Sequence, residues 1–250
     1  MFESATRNAD RRRTFVLVHG SYGGGWIWQK LRPLLRATGH EVYTPTLTGL
    51  SDRSHLVGCG VNLATHITDV VNLLFYEYLT DVTLVGNSYA GMVITGVAAK
   101  IPERLKQVVY LDAYLPDDGQ SEVELWPTEM RAAIEADEAA AKGLRQPPPA
   151  ALFDISDPEM TEWLAARLTP QPLATYTDPV STGAAWSSAI QHVYIHCTNG
   201  RVTTPIFAPF AAKARASGWD VRELAASHVA MLTAPHAVAE LLLAIAEQRP

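Results

Sequence analysis

Two cysteines in 250 residues, Cys59 and Cys197, are too few and too scattered for a disulfide framework or a zinc site, which suits a reducing compartment. No cluster of metal-ligating side chains stands out, so no metal is expected. Positive charge is also scarce: 20 Lys and Arg stand against 26 Asp and Glu, giving a formal charge of −6, and the only basic run, Arg11 to Arg13, reads as a solvated edge before the first strand. A nucleic-acid partner is thereby disfavoured. No apolar run reaches membrane-spanning length, and Met1 to Asp10 lacks the apolar centre of a signal peptide, so a soluble, cytoplasmic protein with no membrane partner is expected. Internal repeats are absent. What remains is a globular composition, 48% hydrophobic, with a length that suits one large α/β domain as readily as two small ones.

The chain is organised around Val82 to Met92, where a strand-forming run enters Gly86-Asn87-Ser88-Tyr89-Ala90-Gly91. A serine on a sharp strand-to-helix turn stands clear of the backbone at the carboxyl end of a sheet, and the next helix aims its amino end at the reacting centre. Small neighbours permit the tight turn. Ala90 stands where the G-x-S-x-G pattern has its second glycine. Ser and Gly also end strands and cap helices in many proteins, so the motif takes its weight from its context.

Upstream, Thr14 to His19 is a continuous apolar run, as in a strand buried on both faces of a parallel sheet. It ends in His19-Gly20-Ser21-Tyr22-Gly23-Gly24-Gly25, which lacks both the Lys-Ser/Thr of a P-loop and the glycine spacing of a dinucleotide site. An oxyanion hole is the better use. The backbone N–H of Ser21 and that of Tyr89, the residue after the nucleophile, would point at the oxygen that becomes negative.

The spacing predicts helices over 26–38 and 62–78, a strand over 41–44 and a polar loop over 45–60, with Asp52 and His55 on the surface and His66 on a helix face. After the serine, 90–100 reads as a buried helix stopped by Ile101-Pro102, and 106–111 as a strand. Alternating β and α segments imply parallel strands, which puts Asp112 at the same sheet edge as Ser88. From Tyr114 to Ile190 the periodicity changes: helical patches at 128–142 and 157–168 are separated by Pro147-Pro148-Pro149 and by Pro170, Pro172 and Pro179. This reads as a helical lid, 114–190, inserted into a core made of 1–113 and 191–250. Tyr22, Trp126, Trp163 and Trp186, with Phe153 and Tyr176, are candidates to line an apolar substrate cavity, though core filling is the default for each taken singly.

Strands at 192–197 and 219–224 and helices at 205–217 and 235–247 complete the chain, and Ala226-Ser227-His228 follows the last strand. A histidine there is placed to act as the general base. Of the eight histidines only His228 fits by order and location. His19 belongs to the glycine loop, and His192 and His196 are expected to point from their strand into packing.

Taken together, Phe-Val-Leu-Val-His-Gly at 15–20, Gly-Gly-Trp at 24–26, Gly-Asn-Ser-Tyr-Ala-Gly at 86–91 and His-Val-Ala-Met-Leu at 228–232 resemble the α/β-hydrolase superfamily. Within it they are similar to small esterases related to plant methyl-salicylate and methyl-jasmonate esterases and to hydroxynitrile lyases, over nearly the whole chain from Thr14 to Glu247. The resemblance implies a serine esterase that needs no cofactor. It would cleave a small hydrophobic or aromatic ester, or a lactone, through an acyl-enzyme on Ser88, with His228 as base. Two departures stand out. Asn87 replaces the family's usual histidine, and the loop Thr198-Asn199-Gly200-Arg201 has no carboxylate where plant members carry their acid. Haloalkane dehalogenases and zearalenone-type lactonases take the acid from the end of the strand after the nucleophile helix, where Asp112 lies, and Asp112 is the favoured choice. The alternative has Asp112 capping its strand while Asn199 orients His228, a neutral partner that would stabilise the imidazolium less. The lyases resembled here carry a lysine after the catalytic histidine and a threonine after the first-strand histidine. Val229 and Gly20 at those positions favour an esterase over a lyase. A small-ligand receptor and a cofactor-free dioxygenase also occur on this fold, and the oligomeric state stays open, a homodimer being one option.

Overall fold

The computed structural model describes residues 12–58, 60–139, 143–183, 185 and 189–248. Six strands form one parallel sheet: β1 (Thr14–Val18), β2 (Glu41–Tyr43), β3 (Val82–Ser88), β4 (Leu105–Ala113), β7 (Gln191–Cys197) and β8 (Asp220–Leu224). A two-stranded antiparallel ribbon pairs β5 (Leu144–Arg145) with β6 (Gln171–Pro172). The central strands are apolar on both faces because both faces are covered. Alternate residues feed two cores: Val16, Leu84, Val108 and Tyr194 point into one, and Phe15, Val85, Val109 and Ile195 into the other.

Helices fill these layers. On the first face lie α2 (Leu63–Tyr76), α3 (Ala90–Lys100) and α7 (Thr203–Ala216), through residues such as Ile67, Val93 and Phe207. On the second lie α1 (Arg32–Ala37) and α9 (Pro235–Glu247), through Leu35, Leu242 and Ile245. Asn62 starts α2 with a capping box, its side chain accepting from Thr65 N–H at 3.0 Å. The expected helix over 26–38 is instead a 3₁₀ turn, Gly25–Trp28, followed by α1. Pro33 accounts for the break, since it has no N–H to donate and its ring crowds the preceding turn.

Segment 114–190 holds α4 (Thr128–Ala139), α5 (Pro158–Ala165), α6 (Ala174–Thr177) and the β5–β6 ribbon. The ribbon was not predicted, because two-residue strands carry no readable alternation. The last part of the helix expected to 142 lies outside the described residues. A short helix α8 (Ala230–Thr233) precedes α9. Among the described residues no helix is long and apolar enough to cross a membrane.

Two features of the sheet position the site. The strand order β2-β1-β3-β4-β7-β8 reverses direction at β1, the switch point where the loops leaving β1 and β3 run to opposite sides of the sheet. Between β3 and β4 the register shifts: Asn87 faces Leu111 while Ser88 faces Ala113, which leaves Asp112 as the extra residue of a bulge.

Candidate active site

Ser88 ends β3 with φ of 57°, left-handed backbone that a non-glycine residue rarely adopts. The neighbouring glycines are required by contact. A Cβ on Gly86 would lie 2.9 Å from the Ala90 carbonyl oxygen, one on Gly91 would lie 2.0 Å from that of Tyr114, and one on Gly20 would lie 2.9 Å from Ser88 Cβ. Ala90 itself is fully buried as the first residue of α3, so the turn accepts its methyl group, and the close approach to the next strand falls on Gly91.

Asp112 also has positive φ, 46°, and its fully buried carboxylate accepts three hydrogen bonds. Oδ2 accepts from His228 Nδ1 at 2.7 Å, while Oδ1 takes the Cys197 N–H at 3.0 Å and His196 Nδ1 at 3.2 Å. Burial pushes this carboxyl up, but the bonds from His196 and His228, the charge on His228 and the Cys197 N–H together hold it below its ordinary value. The bulge explains the aim: one extra residue re-directs a side chain from the sheet face to its edge. His196 therefore departs from expectation. It does not point simply into packing but binds the same carboxylate as His228. His192 packs as expected, stacked on Trp219 at 4.7 Å.

The buried ring of His228 stacks on Phe207 of α7, centroids 4.5 Å apart and planes 14° from parallel. Asn87 donates from Nδ2 to Leu111 O at 2.9 Å and to His228 O at 3.2 Å, so the residue in place of the family's histidine ties β3 to β4 and to the His228 loop. Asn199 donates its backbone N–H to Ala226 O at 3.1 Å, and its side chain lines a surface groove with Asp154, Arg201 and Ser227. The Nδ1 of His228 is already taken by Asp112.

In the glycine loop, His19 bonds Gly20 O through Nδ1 at 2.8 Å and accepts the Leu47 N–H on Nε2 at 3.0 Å. Burial lowers its pKa to about 4, so it is neutral and structural. His66 lies on the buried face of α2, receiving the Tyr89 hydroxyl on Nδ1 at 2.7 Å and donating to Thr48 O at 2.9 Å. It too is lowered to about 4 by burial. The Tyr22 N–H is committed to Gln171 Oε1 at 2.8 Å, which takes it out of use as an oxyanion donor.

The aromatic candidates divide. Tyr22 and Trp126 join one cluster through Tyr176, at 6.3 and 5.3 Å, and Tyr176 also meets Tyr89 at 5.8 Å. Trp163 lies elsewhere: it packs edge-on against Trp26 at 5.2 Å and under Arg167. Trp186 lies outside the described residues. Sequence reading missed two members of this neighbourhood, Glu122 and Arg145. Glu122 is buried with Oε1 accepting from Trp126 Nε1 at 3.1 Å, and Arg145 donates to the Tyr22 hydroxyl at 3.0 Å. Neither carries a sequence signal: Glu122 lies in a polar, acidic stretch and Arg145 beside a proline run. Among the described residues no group of three or more His, Cys, Asp or Glu is arranged to hold a metal ion.

A doubly covered parallel sheet with a strained serine at its strand-to-helix turn and a histidine–carboxylate pair beside it defines a hydrolase class. The chain belongs to the alpha/beta hydrolase family, whose model matches residues 15–241, and it is an esterase-type member. It is 41% identical to the carbendazim hydrolyzing esterase of Nocardioides sp. (strain SG-4G) over 241 residues, 92% of this chain and 98% of that one. Methylesterase 1 of Arabidopsis thaliana is 35% identical over 122 residues, 44% of this chain and 43% of that one. Among solved structures, an extracellular alpha/beta-hydrolase from a Paenibacillus species superposes with a TM-score of 0.80 at 24% identity, covering 94% of this chain and 100% of that one, a likeness of fold.

Proposed function

We propose that the chain hydrolyses a small hydrophobic or aromatic carboxylic ester, or a lactone, through an acyl-enzyme on Ser88. The observation that carries this reading is the 2.7 Å bond from His228 Nδ1 to a buried Asp112 carboxylate, beside a serine held in left-handed backbone. His228 takes the Ser88 proton as the hydroxyl oxygen attacks the carbonyl carbon; the imidazolium so formed is stabilised by Asp112. The oxyanion is received by the N–H groups of Ser21 and Tyr89, the latter at the amino end of α3. His228 then protonates the leaving alcohol, and water, deprotonated by the same ring, releases the acid.

Segment 114–190 acts as the lid in this reading. It is tethered to the oxyanion loop through Gln171 and Thr169, which bond Tyr22 N–H and O, and to the start of α7 through Asp154. Its aromatic residues would shelter the acyl or alcohol group from water. The test is turnover of short-chain and aromatic p-nitrophenyl esters, and of carbendazim, by the wild type beside Ser88→Ala. Hydrolysis by the wild type that vanishes in the folded variant is expected; equal rates from the two would overturn the proposal.

A further inference from the structure

Among the described residues Glu122 is the one buried acid that the proposed mechanism does not use. It precedes a 3₁₀ turn, Val123–Leu125, yet its side chain turns inward and is buried, while its neighbour Glu124 faces solvent and caps Ser121. Of its two carboxyl oxygens, Oε1 accepts from Trp126 Nε1 and Oε2 has no hydrogen-bond partner among the described residues. An unused carboxyl oxygen in a low-dielectric interior is expensive, and such groups persist where a ligand completes them. The neighbours tie this oxygen to the reaction site. Glu122 bonds Trp126, whose ring meets Tyr176 at 5.3 Å, and Tyr176 meets Tyr22 at 6.3 Å and Tyr89 at 5.8 Å, the residues that directly follow Ser21 and Ser88.

We propose that Glu122 is a specificity-determining residue whose free oxygen donates a hydrogen bond to an acceptor atom, a ring nitrogen or ring-borne carbonyl, on the aromatic part of the ester. This rests on the esterase reading and narrows it: the substrate is a polar heteroaromatic rather than a purely hydrocarbon ester. Burial raises the Glu122 pKa to about 8, against the smaller opposing effects of the Trp126 bond and the Arg145 charge, so at neutral pH the carboxyl carries the proton that it would donate. The Trp126 N–H, itself a donor, assigns that proton to Oε2. The aromatic walls, Trp126 and Tyr176, supply the flat apolar contact for the ring.

The test compares methyl benzoate with the isomeric methyl pyridinecarboxylates, which differ from it by one ring nitrogen. We expect the wild type to favour the best pyridine isomer over benzoate in kcat/KM by about tenfold more than Glu122→Leu does, the comparison of the two proteins' ratios cancelling intrinsic reactivity. Glu122→Gln keeps a donor at the same place and should keep the preference. Raising the pH above about 8 should erode the preference in the wild type but not in the Gln variant. The same benzoate-to-pyridine ratio in wild type and Glu122→Leu, or a wild-type preference that persists unchanged at high pH, overturns the inference while leaving the esterase standing. Should no ester be turned over, the esterase reading fails by itself, and equilibrium binding of the same pair to Ser88→Ala with and without Glu122→Leu still decides the role of Glu122: unequal loss of the pyridine ester supports it, and parallel loss refutes it.

Discussion

Replacing Asp112 with Asn changes a single atom, and the surrounding hydrogen bonds dictate how the amide must sit. Oδ1 receives the Cys197 backbone N–H at 3.0 Å, a donor that cannot rotate away. The Asn carbonyl would therefore take that side, and its NH₂ would face His228 Nδ1, where the carboxylate oxygen now accepts at 2.7 Å. Two donors cannot meet, so the ring must switch tautomer, placing its proton on Nε2, which then cannot accept the Ser88 proton. The imidazolium would also lose its counter-charge. For this class of change a loss of about 10³ to 10⁴ in kcat is expected, about 4–5.5 kcal/mol of barrier. The assay is steady-state hydrolysis of a p-nitrophenyl ester by Asp112→Asn, with circular dichroism to confirm folding and Asn199→Ala beside it. Asn199 offers its backbone to Ala226 and its side chain to a surface groove, so its variant should retain activity within a few fold. A folded Asp112→Asn variant that keeps a tenth or more of wild-type kcat, or a collapse in Asn199→Ala, would refute the argument.

Glu122 also predicts a stability trend. Its folded pKa of about 8 lies above the unfolded value of 4.5, so the folded state resists ionisation, and stability falls as pH rises from the lower value to the higher. Glu122→Gln removes that slope, and its advantage in urea unfolding should grow by up to about 2–3 kcal/mol between roughly pH 5 and pH 7; parallel pH profiles for the two proteins would contradict this. At Gly91, an added Cβ would stand 2.0 Å from the Tyr114 carbonyl oxygen, so Gly91→Ala must push α3 from β4. It should cost about 1–3 kcal/mol on thermal or chemical unfolding, together with much of the esterase activity, because the turn that carries Ser88 moves with the helix. Unchanged unfolding in that variant would show that the contact relaxes freely.

Much of the framework was legible in the residues. Continuous apolar runs such as Phe15–Val18 and Val82–Val85 announce strands covered on both faces, and α3 and α9 run over the residues that helical spacing and proline stops predict. Ser88 and His228 stand out as candidates because each sits at a strand's end, where local sequence alone signals a turn. Chain order also offered Asp112 as an acid, but left Asn199 in competition. Elements too short for a period escaped notice, the β5–β6 ribbon among them, and Pro33 divided what spacing alone joined into one helix.

The rest depended on contacts between residues far apart in the chain. His196 reads as one more inward strand residue until the bulge at Asp112 brings the carboxylate to it from 84 positions away. Glu122 reads as one of several acids in a polar stretch until the fold buries it against Trp126 and leaves one oxygen unused. Sequence by itself determined the strands of the main sheet and most of the longer helices, and marked Ser88 and His228 as candidates, because propensity, periodicity and turn chemistry act over a few neighbouring residues. Only the tertiary structure decided which carboxylate meets His228 and what surrounds Ser88. Hydrogen-bond geometry and burial are properties of space, and one residue of slip between two parallel strands is enough to redirect them.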